Sequence, residues 1–323
     1  MEYWNKIVGP ITTQVDEFKR RYSLVFSSPD PKIDTLLKFL QARKGKMMRP
    51  ILVLLVARYS NSFPDRIYSL ASSVELLHQG SLIHDDVVDE SDLRRGKQSV
   101  NSAFDNKLAV LLGDFIVSQS LQQIASTGSV DCIGAISKLI GTLSEGEIIQ
   151  IEALDSDTLS ENVYFDIISR KTAYLFSMCA RLSAILSGAS AADADAFGEF
   201  GQKAGLCFQI MDDILDYHDR SETGKPSGND LKEGKFTLPA IHVLNSSSVD
   251  WSNEIKSIRS LEAGPDIIRK VTEYTLSNGG IEYAVSRMME LKRQAMSVLP
   301  ASMTQELRCS FQSYLDLITD RLS

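Results

Sequence analysis

Leu82–Lys97 reads LIHDDVVDESDLRRGK, and the interpretation of the whole chain turns on it. Asp85, Asp86 and Asp89 fall at i, i+1 and i+4. On a helix, Asp85 and Asp89 stand one turn apart on one face with Asp86 beside them. Carboxylates so placed repel one another, and something must offset the repulsion. Arg94 and Arg95 follow as a doubled cation. Hard oxygen donors beside guanidinium groups suit Mg²⁺ bridging to a phosphate, because that ion usually takes one or two carboxylates plus substrate oxygens. A solvated, charged helix end would look the same, so one motif does not decide the matter.

A second copy does. Asp212, Asp213 and Asp216 in FQIMDDILDYHD repeat the DDxxD spacing, again after an apolar helical run. Two facing helices would aim six carboxylates into one cavity, which is costly unless divalent ions fill it and clamp an anionic ligand. The paired motifs, together with GKMMRP at Gly45–Pro50, DLRRG, the RKT of Arg170–Thr172 and the FQIMDD context, resemble the all-trans isoprenyl (polyprenyl) diphosphate synthases. The resemblance runs from about Lys44 to Leu244 in the family's order and spacing.

Composition bounds the remainder. With 323 residues, 43% hydrophobic and 24% charged, the chain is long enough for a substantial core and ordinary for a soluble globular protein. A net charge of −8 argues against nucleic acid as a partner, so any basic phosphate site must be local. Cys132, Cys179, Cys207 and Cys309 are far apart without a CxxC pair, which favours a reduced compartment over a disulfide framework. Apolar runs such as Ile51–Ala57 are too short to span a bilayer, and Met1–Arg20 lacks the apolar core of a signal peptide. The expectation is a cytoplasmic protein without a transmembrane segment.

Apolar residues recur at helical spacing along the chain, with no strand-like alternation. Helices are predicted over Tyr3–Phe26, Ile33–Ala42, Pro64–Val88, Asn106–Ala125, Val130–Leu154, Ser160–Ser187 and Ala192–Asp219, and another begins near Arg49. Arg220–Gly234 is a loop by composition. Further helices fit Thr237–Leu244, Asp250–Ser260, Pro265–Ser277, Ile281–Leu299 and Thr304–Leu322. No linker divides the chain, so residues 1–323 read as one all-α domain. The resemblance implies a large orthogonal helical bundle around a central cavity.

Lys46 and Arg49 stand three apart at a helix start, where free N–H groups also favour an anion. The resemblance assigns both to the diphosphate of isopentenyl diphosphate, with His78 and Arg95. The family more often has Gly and Arg where Lys44 and Met47 stand, a departure that leaves both cations intact. Glu75 and His78 form an ExxH, but a di-iron bundle needs a second one and none exists. His84 reads as a structural contact. Glu147 and Gln150 in EGEIIQIE face the cavity or bond across helices. Lys171 lies in an apolar helical stretch, where a lysine needs a partner. The resemblance places Lys171, Arg94, Lys225 and Lys235 on the allylic diphosphate, with Thr172 and Gln209 near the developing cation.

The implied reaction is Mg²⁺-dependent head-to-tail 1′-4 condensation of isopentenyl diphosphate onto an allylic diphosphate such as farnesyl diphosphate. Several Mg²⁺ ions would rest on Asp85, Asp89 and Asp212, with Asp86, Asp213 and Asp216 as further ligands or supports. Lys171, Lys225, Lys235 and Arg94 would help stabilise the departing diphosphate. In the family, bulky residues four and five before the first Asp block the product tunnel. Here they are Ser81 and Gly80, both small, so the tunnel is expected to continue past Leu77 and Val74. A long-chain product of the quinone side-chain type follows. Three alternatives stand beside it. They are a shorter-chain (farnesyl or geranylgeranyl) synthase, a terpene cyclase that would lack the second motif, and a non-catalytic subunit of a heteromeric synthase. The family also implies a homodimer, with peripheral membrane contact for product release.

Overall fold

Apolar residues at helical spacing do fold as helices over almost the whole chain, because each helix must bury its apolar stripe. The computed structural model describes residues 2–42, 45–94, 96–156, 158–218 and 228–320. In chain order the helices are α1 (Glu2–Val8), α2 (Thr12–Val25), α3 (Pro31–Gln41), α4 (Met48–Tyr59), α5 (Asp65–Val88), α6 (Val100–Ala103), α7 (Asn106–Ala125) and α8 (Val130–Leu154). They continue with α9 (Glu161–Ile168), α10 (Tyr174–Ser187), α11 (Ala191–Asp216), α12 (Asn229–Lys232), α13 (Leu238–Asn245), α14 (Ser252–Arg259), α15 (Pro265–Ser277), α16 (Gly280–Val298) and α17 (Gln305–Thr319). The all-α expectation is borne out.

The departures from the sequence reading have local causes. The helix predicted over Tyr3–Phe26 breaks at a 3-10 turn, Gly9–Ile11, where Pro10 has no N–H to give the ladder. The one predicted over Ser160–Ser187 widens into a π-turn at Ser169–Ala173, which holds Arg170, Lys171 and Thr172. Such a turn carries one extra residue and re-aims the side chains around it. No strand was expected, yet β1 (Leu93–Arg94) and β2 (Lys97–Gln98) pair antiparallel. Gly96 turns between them at φ +73°, open to a residue without Cβ. The short α12 lies in the stretch read as loop. Asp219 and Leu322, the predicted ends of two helices, lie outside the described residues.

The chain forms two compact units. The first comprises Met1–Lys138, Phe176–Gly201 and Val298–Tyr314; the second comprises Leu139–Leu175, Gln202–Ser297 and Leu315–Ser323. In the first unit α4 is buried from Met48 through Ala57, and α5 packs on α4 and α7. Phe311 packs edge-on to Phe200, with ring centroids 5.0 Å apart. Tyr314 Oη donates to Met48 O at 2.9 Å, and Ser183 Oγ donates to Val53 O at 2.6 Å. The contact between α5 and α7 is close. A Cβ added at Gly80 would stand 2.8 Å from a Val117 methyl, Gly113 abuts the His84 ring, and Ser120 Oγ donates to Ser73 O at 2.8 Å.

In the second unit the C-terminal half of α11 buries Ile210, Met211 and Ile214. Lys292, itself buried, pairs with Asp316 at 2.8 Å and donates to Thr319 Oγ1 at 2.8 Å. On α9, the N-cap Ser160 accepts from Val163 N at 3.3 Å, and Glu161 accepts from Tyr283 Oη at 2.8 Å. Asn245 Nδ2 donates to Leu159 O at 2.9 Å, just before that helix begins.

Candidate active site

Each unit carries one acidic motif at the C-terminal end of a helix. In the first unit α5 ends at Val88, and Asp89 caps it by donating its N–H to Asp85 O at 2.8 Å. Asp85 and Asp89 therefore keep the one-turn spacing expected of them. The stretch is not helical to its end. Glu90 takes a left-handed φ of +48°, and the chain doubles back through β1 and β2. Arg94 thereby returns to Asp86, with Nε at 2.8 Å and Nη2 at 2.5 Å from the same Oδ1. Asn101 Nδ2 ties the excursion down by donating to Asp86 O and Ser91 O, each at 3.2 Å. Three carboxylates at the negative end of a helix dipole are unfavourable, and the returning guanidinium offsets that. Asp86 is 4% exposed, whereas Asp85 is half-buried and Asp89 exposed.

The same pattern recurs in the second unit. Asp213, 4% exposed, is held on both oxygens: Tyr164 Oη donates to Oδ2 at 2.6 Å and Gln209 Nε2 donates to Oδ1 at 2.8 Å. Thr172 Oγ1 in turn donates to Gln209 Oε1 at 2.7 Å. Asp212 and Asp216 are half-buried. Asp216 Oδ2 accepts from the Asp230 N–H at 3.0 Å, which places a further carboxylate behind the motif. Burial pushes the Asp213 carboxyl up to about 7; Tyr164 and Gln209 pull it down, and the charges of Asp212 and Asp216 push it up. Asp230 goes well above the usual carboxylate range through burial, and the charges of Asp216, Asp213 and Glu233 add to the rise.

Lys171 sits on the π-turn with its Nζ 2.6 Å from Glu147 Oε1, and it donates to Gln150 Oε1 at 2.9 Å. Glu147 and Gln150 thus bond across helices, as anticipated. Gly146 allows the approach: a Cβ there would lie 2.8 Å from Lys171 Cγ and 2.9 Å from Arg170 Cβ. Lys235 Nζ donates to Glu233 Oε2 at 2.7 Å. In the first unit Lys46 is exposed just ahead of α4, and Met47 at the cap takes φ +52°. Arg49 is buried in the first turn, its guanidinium 4.7 Å over the Phe176 ring. His78 is half-buried two turns before Asp85. Arg95 and Lys225 lie outside the described residues.

Of the positions expected to set product length, Ser81 is half-buried and its Oγ donates to His78 O at 3.0 Å. Leu77 and Val74 lie within the core of the first unit. Gly80 faces Val117 and Gly113 of α7, so a side chain there acts first on helix packing. Asn101, Tyr164 and Asp230 were not anticipated. A buried phenol needs a hydrogen-bond partner, but an isolated Tyr in the apolar stretch NVYFDII does not announce which.

Among the described residues, no three His, Cys, Asp or Glu side chains gather closely enough to hold a metal ion by themselves. The donor set still fits a divalent ion of the Mg²⁺ kind, which binds through one or two carboxylates and completes its shell with substrate oxygens and water.

A family model described as polyprenyl synthetase matches residues 30–275. The chain belongs to the polyprenyl synthetase family. It is 34% identical to the octaprenyl diphosphate synthase of Escherichia coli (strain K12) over 268 residues, 83% of each chain. Its fold matches the polyprenyl synthase of Caulobacter crescentus CB15, solved with calcium and isoprenyl diphosphate, with a TM-score of 0.91 and 28% identity over 99% of this chain and 98% of that one. It also matches the geranylgeranyl pyrophosphate synthase of Bacteroides thetaiotaomicron, with a TM-score of 0.87 and 35% identity over 99% of this chain and 100% of that one. The resemblance drawn from the paired acidic motifs is borne out, and with it the prenyltransferase class.

Proposed function

We propose that this polyprenyl synthetase makes a long-chain all-trans polyprenyl diphosphate by successive 1′-4 condensation of isopentenyl diphosphate onto an allylic diphosphate such as farnesyl diphosphate. The observation that carries this reading is the shared design of the two acidic motifs. In each, the central carboxylate is locked by protein donors, Asp86 by Arg94 and Asp213 by Tyr164 and Gln209. The outer pairs, Asp85 with Asp89 and Asp212 with Asp216, stand one turn apart as residues that would hold divalent ions, Mg²⁺ in the cell. When bound, the ions neutralise charge on the allylic diphosphate as it leaves. Lys171 and Lys235 add to that stabilisation on exchanging Glu147 and Glu233 for diphosphate oxygens, and Arg94 and Lys225 share the role. Lys46, Arg49, His78 and Arg95 bind isopentenyl diphosphate. Thr172 and Gln209 present oxygens near the allylic cation.

Long products are favoured by the small Ser81 and by the similarity to octaprenyl diphosphate synthase. A non-catalytic subunit has no need of two intact acidic motifs, and this chain keeps both. We also propose a cytoplasmic homodimer built on α7, whose outward face exposes Val110 (41%), Leu111 (65%) and Leu121 (39%). By length and composition α7 could also cross a membrane, but it buries Leu112, Ile116 and Ile124 within the first unit.

The test is to incubate the purified chain with Mg²⁺, farnesyl diphosphate and isopentenyl diphosphate and to size the dephosphorylated products by chromatography. A ladder ending well beyond geranylgeraniol supports the reading. Termination at geranylgeraniol overturns the long-chain assignment, and farnesol alone, the unextended primer, points to a subunit.

A further inference from the structure

Tyr164 belongs to none of the motifs, yet its hydroxyl makes one of the shortest polar contacts in the second unit, 2.6 Å to Asp213 Oδ2. We propose that Tyr164 is a positioning residue of the second acidic motif, fixing Asp213 so that Asp212 and Asp216 alone are presented to divalent metal and diphosphate. This inference rests on the proposed function and adds to it.

The geometry leaves Asp213 little freedom. Its Oδ1 accepts from Gln209 Nε2 at 2.8 Å, so both carboxylate oxygens are engaged by neutral donors. Gln209 cannot reverse its amide without loss, because its Oε1 accepts from Thr172 Oγ1 at 2.7 Å. The four side chains form one line, Thr172 to Gln209 to Asp213 from one side and Tyr164 from the other. That line ties the π-turn bearing Lys171 to the helix bearing the motif. Tyr164 is itself held. Its helix α9 is capped by Ser160 and anchored through Glu161 to Tyr283, and the phenol ring is buried against Phe165 with centroids 5.3 Å apart. Asp213 is rotated by about 100° from Asp212 around α11, so a free Asp213 would draw the ion away from the face that Asp212 shares with Asp216. Groups that orient metal-binding carboxylates typically change metal affinity by about 10–100-fold when removed.

The experiment titrates Mg²⁺ with inorganic diphosphate into the intact protein by calorimetry, without turnover, for the wild type and Tyr164→Phe. Thermal unfolding and steady-state kinetics are measured alongside. Tyr164→Phe keeps the ring and removes only the donor. The expected result is roughly tenfold weaker Mg²⁺–diphosphate binding and a lower kcat, with KM for isopentenyl diphosphate unchanged. Wild-type affinity in Tyr164→Phe, even with a lowered Tm, means the phenol serves packing only and overturns the inference. Should Tyr164→Phe fail to fold, Asp213→Asn and Asp212→Asn decide. The inference requires Asp212→Asn to lose far more Mg²⁺–diphosphate affinity than Asp213→Asn, and equal losses overturn it. If the wild type itself binds no Mg²⁺–diphosphate, the proposed function has failed as well.

Discussion

Arg94 approaches Asp86 side-on, with Nε at 2.8 Å and Nη2 at 2.5 Å from one and the same carboxylate oxygen. The second oxygen is left to other partners, and the pair closes a chain reversal rather than a helix turn. Removing the cation leaves a buried carboxylate behind. Breaking a buried pair costs about 3–5 kcal/mol, but the Arg94 side chain is 35% exposed, so solvent screening reduces the expected loss to about 1–2 kcal/mol. Arg94→Gln should therefore lower the urea midpoint, and Asp86→Asn in the same chain should restore part of it. Additive losses in the double-mutant cycle would show that the contact carries no coupling energy.

A carboxylate occupies Lys171 while no diphosphate is present, since Glu147 Oε1 lies 2.6 Å from its Nζ. Incoming diphosphate must displace Glu147. Glu147→Gln keeps the shape and removes the competing charge. With partly exposed pairs worth about 0.2–1 kcal/mol, inorganic diphosphate should bind up to about fivefold more tightly to this variant. Calorimetry measures it directly, and weaker binding would mean that Glu147 instead holds Lys171 in its working position.

Stability in the absence of metal should fall as pH rises through the Asp213 transition. An unfolded aspartate loses its proton near the ordinary 3.8, but in the fold burial delays the loss to about 7. Between those values the folded state binds more protons than the unfolded one, so this group's contribution declines across that window and is flat above it. The neighbours are Tyr164, Gln209, Asp212 and Asp216, together with Asp230, which shifts in the same direction. The Tm of wild type minus that of Asp213→Asn, both in EDTA, should drop from pH 4 to 7. A difference that rises over that range would contradict the assignment. Mg²⁺ with diphosphate should raise the wild-type Tm more at pH 7.5 than at pH 5.

The four thiols should separate cleanly in a labelling experiment. Cys309 is exposed, whereas Cys132, Cys179 and Cys207 are buried. Burial pushes the Cys179 and Cys207 thiols up to about 12 and raises Cys132 as well, so little thiolate exists at neutral pH. One equivalent of thiol per native chain should react promptly with a disulfide reagent at pH 8, and the other three only after denaturation. Rapid reaction of a second thiol would place one of the buried sites in contact with solvent.

The all-α class and the acidic motifs were legible because they are written in spacing, 3.6 residues for the helices and DDxxD for the carboxylates. What escaped is carried by single residues. Strands of two residues, Leu93–Arg94 and Lys97–Gln98, are too short to show alternation. The extra residue of the π-turn leaves composition untouched, so Ser160–Ser187 read as one regular helix. Asp230 lay in a stretch whose Gly, Ser and Lys content argued for loop. The orientation of Gly80 was available in principle. Five residues correspond to about 140° around a helix and four to about 40°, so Gly80 and Ser81 could not both lie beneath Asp85.

That distinction yields the last prediction. Ser81 shares the Asp85 side of α5 and is half-buried, whereas Gly80 faces α7 with a Val117 methyl 2.8 Å from where its Cβ would be. Large residues at the two positions should therefore fail in different ways. At Ser81, a Phe ring fills space one turn below the reacting carbon, and overpacking a fitted channel costs about 1–3 kcal/mol. At about 1.4 kcal/mol per tenfold, that penalty on each longer intermediate is enough to reverse a product distribution. Ser81→Phe should move the main product to about fifteen to twenty carbons with early turnovers still fast, as steric selection by pocket size requires. Gly80→Leu should instead push α5 and α7 apart, lowering Tm and kcat together, with whatever product forms keeping its length. Chromatography of dephosphorylated products and a thermal melt on each variant separate the two outcomes. If Gly80→Leu shortened the product in a protein of undiminished Tm, the growing chain would have to run along the α7 side of α5, and the tunnel would need to be redrawn there.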